Sequence, residues 1–287
     1  MNWKRFYLVV LTLVLTNYVS AQANLLNAKK VGEIEFKSEA RIASEDDKPL
    51  PYGNISDRDV LWSKVVWEYI DLNQKINLPY YYPIDTASAS NNRRSLYDSL
   101  LKGIREGEIE EVYDDSYFTS KIGMDEIKEK IIDNRDDGYG NVDTYEIKSE
   151  QIEAYVIKGI WYFDKRQGEL KYRLLGIAPL APDVLVIGRE EIDDGDNVYP
   201  LFWVFYPDAR ETLHNSKVFN PKNSSRPISY DNLLNARRFN AVIQREENLY
   251  GDRTIKDYVR GNSLFQLLEA NRIKEGIRER EIDMWNY

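Results

Sequence analysis

The side chains that most often perform catalysis are scarce in this chain. Its 287 residues include a single histidine, His214, and no cysteine. A Ser-His-Asp triad would have to use His214, but the chain has no Gly-x-Ser-x-Gly elbow and the residues around His214 match no partner motif. The composition also excludes disulfides, thiol catalysis and zinc sites with several histidine or cysteine ligands. We therefore interpret His214 as a surface or structural residue and predict no catalytic residue.

Calcium is the one metal for which the chain has a partial motif. Residues 133–144 have the length of an EF-hand loop, with aspartates at positions 1 and 5 and a glycine at position 6. Position 3 is Arg135, and position 12 is Thr144 where a bidentate glutamate is needed, so the strongest ligands are missing. In the same segment, Gly138-Tyr139-Gly140 lacks the third glycine, the following helix and the lysine of a phosphate-binding loop. We interpret the segment as an acidic linker and predict neither a metal nor a cofactor.

Carboxylates are abundant, because 48 Asp and Glu residues oppose 39 Lys and Arg residues and give a formal net charge of −9. Two carboxylates on either side of a glycosidic bond are the catalytic groups of most glycoside hydrolases. Among so many acids, close pairs arise by chance, and we expect most of them on a solvated face. The negative charge argues against nucleic acid and against an anionic membrane surface as direct partners.

Aromatic side chains are the second unusual feature of the composition, with 21 Tyr and 6 Trp against 9 Phe. Tyr and Trp combine a large apolar surface with a polar tip and are enriched at protein interfaces, although they also favour strands. Trp285 and Tyr287 end the chain as a docking tail or fold back on the core. Exposed aromatics together with paired carboxylates keep an alternative function open, namely a secreted carbohydrate-active hydrolase or a glycan-binding protein.

The N-terminus predicts export. Lys4 and Arg5 precede an apolar run over residues 6–15, and Val19-Ser20-Ala21 supplies small residues at a cleavage position. This pattern is typical of a secretory signal peptide, here residues 1–21, and the apolar run is about half as long as a membrane-spanning helix. Removal of this leader takes the net charge from −9 to −11, because it contributes two positive charges and no acid. We expect no direct membrane insertion of the mature protein.

An N-terminal arm, residues 22–54, follows the predicted signal peptide. It is polar and shows no sustained hydrophobic period, so it can bury little surface by itself. Two interpretations remain open, a disordered tail and an extended segment that becomes ordered against a neighbouring subunit.

The remaining residues, 55–287, predict a single globular domain of the α+β class. Residues 55–132 are predicted as helical, residues 150–206 as a sheet and residues 208–287 as helical again. Helices and strands that occur in separate blocks are typical of α+β proteins. We expect an antiparallel β-sheet of about four to six strands, packed with flanking helices and preceded by the extended arm.

Local patterns support these blocks. Ser56 and Asp59 have capping-box spacing and are followed by an apolar stripe at helical intervals up to Ile70, which predicts the first helix. Residues 165–168 separate two runs of β-branched and aromatic residues and predict a hairpin turn. Leucine and other apolar residues recur over residues 230–245 and predict a further helix.

Five segments, in order behind the leader, carry a resemblance to a known family. They are Leu61–Trp67, Asn77–Pro83, Gly159–Asp164, Arg173–Pro179 and Leu201–Pro207. With them the chain resembles, over nearly its whole mature length, the gliding-motility family GldN, also called PorN, of Bacteroidetes bacteria.

The resemblance implies a function. Members of that family are non-enzymatic structural parts of the type IX protein secretion and gliding-motility machinery in the periplasm. The resemblance implies a ring complex of neighbouring copies with an outer-membrane lipoprotein, GldK or PorK, and contact with the motor subunit GldM or PorM. It places the protein at the inner face of the outer membrane, where the lipoprotein holds it. No catalytic residue follows from the resemblance, and a monomeric periplasmic adaptor remains open.

Overall fold

The computed structural model describes residues 48–84, 93–136, 142–187, 197–218, 220 and 228–284. The predictions for the signal peptide, for the arm before Lys48, for Gly138-Tyr139-Gly140 and for Trp285 and Tyr287 lie outside these residues. All contacts given below lie within Pro49–Tyr287, one of two units into which the chain divides.

The described residues contain eleven strands and seven α-helices. The strands are β1 (Val60–Asp71), β2 (Val112–Tyr113), β3 (Ile132–Asp136), β4 (Val142–Glu146), β5 (Ala154–Asp164), β6 (Glu169–Ala181), β7 (Tyr199–Pro200), β8 (Trp203–Phe205), β9 (Lys217–Val218), β10 (Ile228–Ser229) and β11 (Val242–Glu246). The helices are α1 (Leu78–Tyr81), α2 (Leu96–Glu106), α3 (Met124–Ile131), α4 (Tyr206–Asn215), α5 (Tyr230–Asn235), α6 (Ile255–Tyr258) and α7 (Ser263–Met284). Among the described helices, none combines the length and the hydropathy needed to cross a bilayer.

Seven of the strands form one antiparallel sheet. Its order is β11-β1-β5-β6-β8-β2, and β7 pairs with the end of β6 beside β8. Two separate antiparallel pairs, β3 with β4 and β9 with β10, lie outside it. This arrangement confirms the predicted α+β class and the antiparallel sheet, and it contains one strand more than the upper end of the predicted range.

The central hairpin, β5 and β6, forms where the strand composition predicted it. Residues 165–168 reverse the chain, and Gly168 has a left-handed backbone with a φ of 65°, which glycine adopts without steric cost. The ladder then runs from the pair Asp164 and Glu169 to the pair Ala154 and Leu180. Turn and strand signals agree here, so local sequence suffices to specify this part of the fold.

The helix predicted from Ser56 is wrong. Only Asp57–Asp59 form a 3-10 turn, and the residues that follow are β1. β1 lies between β11 and β5 and is buried on both faces, with Val66 on one face and Trp67 on the other. A strand buried on both faces carries an almost continuous apolar run, and such a run also satisfies helical spacing.

The helix predicted over residues 230–245 is also wrong in its second half. α5 is capped by Ser229, whose hydroxyl accepts a hydrogen bond from the backbone N–H of Asn232 at 3.2 Å, and it ends after six residues. Arg237 then adopts a left-handed backbone with a φ of 48°, which is unusual for a residue other than glycine. The chain leaves the helical path at this point and continues as the edge strand β11.

The acidic linker is a hairpin in its described part. Ile132–Asp136 and Val142–Glu146 pair as antiparallel strands, with Ile132 opposite Glu146 and Asp136 opposite Val142. The pair follows α3 directly. Polar strands of this kind show little hydrophobic alternation, which explains why the sequence pattern indicated a loop.

One face of the sheet buries the main core. α2, α4 and α5 cover this face, and several of the largest fully buried side chains in it are tyrosines. Tyr206 Oη donates to Asp231 Oδ1 at 2.9 Å, and Tyr230 Oη donates to the carbonyl oxygen of Arg94 at 2.8 Å. Because both hydroxyls have partners, Tyr206 and Tyr230 add apolar contact without leaving a polar group unpaired. Much of the unusual tyrosine content is therefore core material.

The opposite face is closed by a cluster of cations and aromatic rings. Lys158 is buried, and its Nζ donates to the carbonyl oxygen of Ser116 at 2.9 Å and lies 5.1 Å from the ring centroid of Trp67. The guanidinium of Arg245 stacks at 3.9 Å from the same Trp67 ring and donates to Ser116 Oγ at 2.8 Å. Burial lowers the pKa of Lys158, and the neighbouring Arg245 lowers it further. The cluster fixes the loop around Ser116 on the sheet.

Candidate partner-binding surface

His214 lies in the last turn of α4, and 5% of its surface is exposed. The helix around it belongs to the core, because Tyr206, Ala209 and Leu213 are fully buried against the sheet and the neighbouring helices. His214 was interpreted as a surface or a structural residue, and its burial supports the structural role.

In its described residues, the partial calcium motif makes internal contacts. Arg135, at position 3 of the motif, forms a salt bridge with Asp133 at position 1, with Nε and Oδ2 2.6 Å apart. Arg135 also donates hydrogen bonds to the carbonyl oxygens of Val184 and Ile187 at 2.9 and 2.8 Å. Over the described ranges, no cluster of three or more Asp, Glu or His side chains is placed to hold a metal ion.

The pKa values of two neighbouring carboxyl groups, Glu111 and Asp208, are shifted in opposite directions. Hydrogen bonds from Lys121 and Tyr113 lower the pKa of Glu111. Burial raises the pKa of Asp208, and the negative charges of Glu111 and Glu110 raise it further. Such a difference is a feature of acid and base pairs in enzymes, but it also occurs in structural ion-pair networks. Two grooves on the described surface, one beside Tyr52 and one beside α7, contain none of these carboxylates.

The described tryptophans point inward. Trp67 and Trp203 are buried on one face of the sheet. Trp62 and Trp161 are half-buried in the cluster between the sheet and α7. Sugar-stacking platforms need an exposed ring face; these four tryptophans are buried or half-buried, and the exposed aromatic side chains of the described residues are tyrosines such as Tyr250.

The first two turns of α7 expose four large apolar side chains, which we call the leucine patch. Their exposed fractions are 61% for Leu264, 58% for Phe265, 43% for Leu267 and 53% for Leu268. α7 is attached to the sheet by Ala270, Ile273 and Ile277, which lie further along the helix. At 100° per residue, Leu264, Leu267 and Leu268 share one side of the helix. A contiguous exposed apolar patch of this kind marks an interaction site more often than a plain surface.

A groove of about 220 Å³ lies beside the leucine patch. Its walls are α7, through Leu267 and Lys274, and the chain at the start of β11, through Asn240 and Val242. β11 is an edge strand, since its only strand partner in the described part of the chain is β1. Leu267 of the patch therefore lines a groove whose other wall includes Glu68 of β1 and the start of β11. The sequence analysis did not predict this surface. The only sequence signal for it is that the four apolar residues of the patch are close together in the chain.

The end of the predicted arm is held on the body by three arginines that donate hydrogen bonds to backbone carbonyl oxygens. The pairs are Arg210 with Leu50 at 2.6 Å, Arg173 with Gly53 at 3.0 Å and Arg166 with Asn54 at 2.7 Å. Tyr52 lies between two of these guanidinium groups, 4.2 Å from that of Arg210 and 4.7 Å from that of Arg173. We call this arrangement the arginine clamp, and it fixes residues 50–54 on the body.

The comparison with known protein families agrees with the resemblance read from the sequence. The family model described as gliding motility associated protein GldN matches residues 55–286. A search of curated proteins finds no match for the chain. The matched range includes every strand of the main sheet, the helices α5–α7 and the leucine patch. Because the match extends over most of the sequence, the chain belongs to the GldN family, a component of the gliding-motility and type IX secretion machinery.

Proposed function

We propose that this chain is a non-enzymatic structural subunit of the type IX secretion machinery in the periplasm. In this proposal it forms a ring with neighbouring copies and with an outer-membrane lipoprotein of the GldK or PorK kind, and it contacts the motor subunit GldM or PorM. The lipoprotein would hold it at the inner face of the outer membrane. Family membership supports the multi-protein setting, and the leucine patch is the observation that supports a protein-binding role.

The leucine patch supports protein binding for an energetic reason. Transfer of apolar surface out of water contributes roughly 25 cal/mol per Å², so exposed leucines gain free energy when a partner covers them. α7 does not need the patch for its own attachment, because Ala270, Ile273 and Ile277 already anchor it. A surface that the fold does not use is available to another molecule.

The buried position of His214 and the internal pairing of Asp133 with Arg135 support the non-enzymatic part of the proposal. The alternative, a carbohydrate-active or glycan-binding protein, has less support. It needs aromatic rings exposed beside two carboxylates, and the described tryptophans are turned into the core or under α7.

Co-expression of the mature chain with the lipoprotein tests the proposal. We expect a large complex with several copies of each protein in size-exclusion chromatography and native mass measurement. Leu264→Glu combined with Leu268→Glu should remove the chain from this complex, because each change places a charge in the leucine patch. Ile282→Glu is the matched control, since Ile282 is equally exposed, at 59%, on the same helix. A complex with a single copy of each protein would contradict the ring and favour the adaptor.

A further inference from the structure

We propose that the arginine clamp is a binding site for an extended segment of a partner protein, and that residues 50–54 occupy it as a strap that the partner displaces. The partner segment carries a phenylalanine where the strap has Tyr52 and an acidic side chain where the strap has Gly53. This inference goes beyond the proposed ring and does not depend on it. Three features support it: backbone recognition by the clamp, the imperfect fit of Tyr52, and an open groove beside Gly53.

The clamp recognises the strap through its backbone. The hydrogen bonds from Arg210, Arg173 and Arg166 all end on carbonyl oxygens, and all three lie at solvent-exposed positions. Pro51 and the residue before it, Leu50, favour an extended chain, and extended segments that contain proline are a common class of bound peptide. Because carbonyl oxygens are the same in every sequence, another extended segment can accept the same three hydrogen bonds.

Tyr52 anchors the strap, but its fit is imperfect. Its ring lies between the guanidinium groups of Arg210 and Arg173. Its Oη atom is buried and finds no hydrogen-bond partner among the described residues. A hydroxyl that is buried without a partner costs free energy, whereas a phenylalanine in the same place keeps the ring contacts without that cost. The site therefore favours a segment with phenylalanine over the strap that occupies it.

The strap leaves a groove of about 160 Å³ between itself and the hairpin of β5 and β6. Gly53 lines this groove on the side of the strap, and Tyr162 and Lys171 line it on the side of the hairpin. A Cβ added to Gly53 meets no atom within 4 Å, and the backbone of Gly53 is not left-handed. A residue with a side chain therefore fits at this position without strain.

The cations around the groove differ in the ion pairs they form. Arg166 is paired with Asp59 at 3.1 Å, and Lys171 is paired with Asp164 at 3.6 Å. Arg173 donates to the carbonyl oxygen of the strap glycine but forms no ion pair with any residue that the structure describes. An acidic side chain at the glycine position can supply this missing partner, and a charge-assisted hydrogen bond is stronger than a neutral one.

Peptide binding to the full-length mature chain tests the inference. The probe is a fluorescent peptide of residues 49–55 that carries Tyr52→Phe and Gly53→Glu, and its binding is followed by fluorescence anisotropy. A chain with Tyr52→Ala has a strap without its anchor. We expect the probe to bind this chain about tenfold or more tightly than the wild type, because the intact strap competes at an effective concentration on the order of millimolar.

Changes in the clamp test the predicted chemistry of the partner. In the Tyr52→Ala chain, the added change Arg173→Met should remove the advantage of the probe over a peptide that keeps Gly53. Arg278→Met is the matched control, since Arg278 is an exposed arginine of α7 that is paired with Glu275 at 3.7 Å, and it should leave binding unchanged. Circular dichroism of each variant establishes that it is folded.

A second variant leaves the anchor of the strap in place. Gly53→Glu in the otherwise unchanged chain gives the strap the acidic side chain that we assign to the partner. We expect this chain to unfold at a higher temperature than the wild type and to bind the probe several-fold more weakly. A lower unfolding temperature would show that the groove does not accept an acidic side chain beside Arg173.

Three results would overturn the inference. The first is equal binding of the probe to the wild type and to the Tyr52→Ala chain, and the second is binding that Arg173→Met does not change. The third is a peptide of unchanged sequence that binds as tightly as the probe, because that result assigns the clamp to residues 49–55 of another copy. None of these measurements involves the lipoprotein, so their failure refutes the clamp as a partner site and leaves the proposed ring to the co-expression experiment.

Discussion

Glu68 on β1 and Arg237 behind α5 form a two-pronged ion pair inside the fold. The Arg237 Nη2 atom lies 2.8 Å from Glu68 Oε1, and Nη1 lies 2.9 Å from Oε2. The guanidinium also stacks 4.0 Å from the ring centroid of Tyr172. Burial by itself would lower the pKa of Arg237, but the hydrogen bonds and the charge of Glu68 outweigh it and raise this pKa. The pair joins the first strand of the sheet to the connection that leads into its edge strand.

Removal of one partner of this pair should destabilise the protein strongly. Arg237→Met leaves the Glu68 carboxylate buried without its cation, and we expect a loss of about 3 kcal/mol or more in the free energy of unfolding. The double variant Glu68→Gln with Arg237→Met should recover part of that loss, because no buried charge remains. Urea unfolding measures both values.

Lys102 and Glu106 on α2 provide the control for this prediction. Their ion pair spans 3.5 Å on the surface, and Lys102→Met should change stability by less than about 1 kcal/mol. Equal losses of unfolding free energy for Arg237→Met and Lys102→Met would show that the buried pair contributes no more to stability than the surface pair.

Two glycines should respond to alanine in opposite directions. A Cβ at Gly159 would lie 2.1 Å from Tyr172 Oη and 2.2 Å from its Cζ, and Tyr172 is held in the core beside Trp161. Gly159→Ala should therefore lower the free energy of unfolding by about 1–3 kcal/mol through overpacking. A Cβ at Gly276 meets no atom within 4 Å, and Gly276 lies inside α7. Gly276→Ala should raise the stability by about 0.5–1 kcal/mol, because alanine is the better helix former.

Thermal unfolding of the two alanine variants gives the sign directly. A higher midpoint for Gly159→Ala than for the wild type would mean that Tyr172 moves aside without cost. A lower midpoint for Gly276→Ala would mean that this part of α7 is not an exposed helix.

Alkaline pH should unfold the protein through its tyrosines. Burial raises the pKa of six of them above the ordinary value of 10.0, namely Tyr80, Tyr97, Tyr155, Tyr172, Tyr206 and Tyr230. Because these pKa values are higher in the folded state, the unfolded state loses its protons first as the pH rises. The stability that these groups contribute is therefore complete below pH 10.0 and is lost above it.

Tyrosinate absorbance and circular dichroism measured on one titration test this expectation. We expect only part of the tyrosines to ionise while the circular dichroism stays native, and the rest to ionise together with its loss. Ionisation of all tyrosines at constant circular dichroism would contradict the buried positions.

The sequence allows the central hairpin and the cap of α6 to be predicted, because their causes are local. Gly168 supplies the turn within four residues, and Thr254 and Asp257 form the capping box that their spacing indicates. β1 could not be predicted in this way. It is a strand because it pairs with β5, which lies far away in sequence. Trp67 is buried on the second face of the sheet, and it is not part of the apolar stripe that predicted a helix.

The candidate surface depends on the same kind of long-range contact. Arg237 ends the helical path of residues 230–245, and it is fixed by Glu68, which is 169 residues away. The helix end is also closed locally, because the backbone N–H of Arg237 donates to the carbonyl oxygen of Leu234 at 3.1 Å and that of Arg238 to Leu233 at 3.0 Å. The leucine patch can be recognised as a candidate binding surface only from the structure, which shows that other residues attach α7 to the sheet.

Two truncations should separate the role of the arm from that of the arginine clamp. A mature chain that lacks residues 22–47 keeps Leu50, Tyr52 and the three carbonyl groups that the clamp binds. We expect it to unfold at the wild-type temperature but to lose self-association in sedimentation experiments. A chain that lacks residues 22–54 should lose self-association and also about 1–3 kcal/mol of stability, because Tyr52 no longer stacks between Arg173 and Arg210.

Comparison of the two truncated chains distinguishes the contribution of the arm to assembly from that of the clamp to stability. If the chain without residues 22–47 assembles with the lipoprotein at full affinity, the arm does not connect neighbouring subunits. If both truncations are equally stable, the clamp contributes nothing to folding and only guides the chain. Tyr52→Ala in the full-length chain distinguishes these cases further, since it should reproduce the stability loss of the longer truncation while the arm still supports assembly.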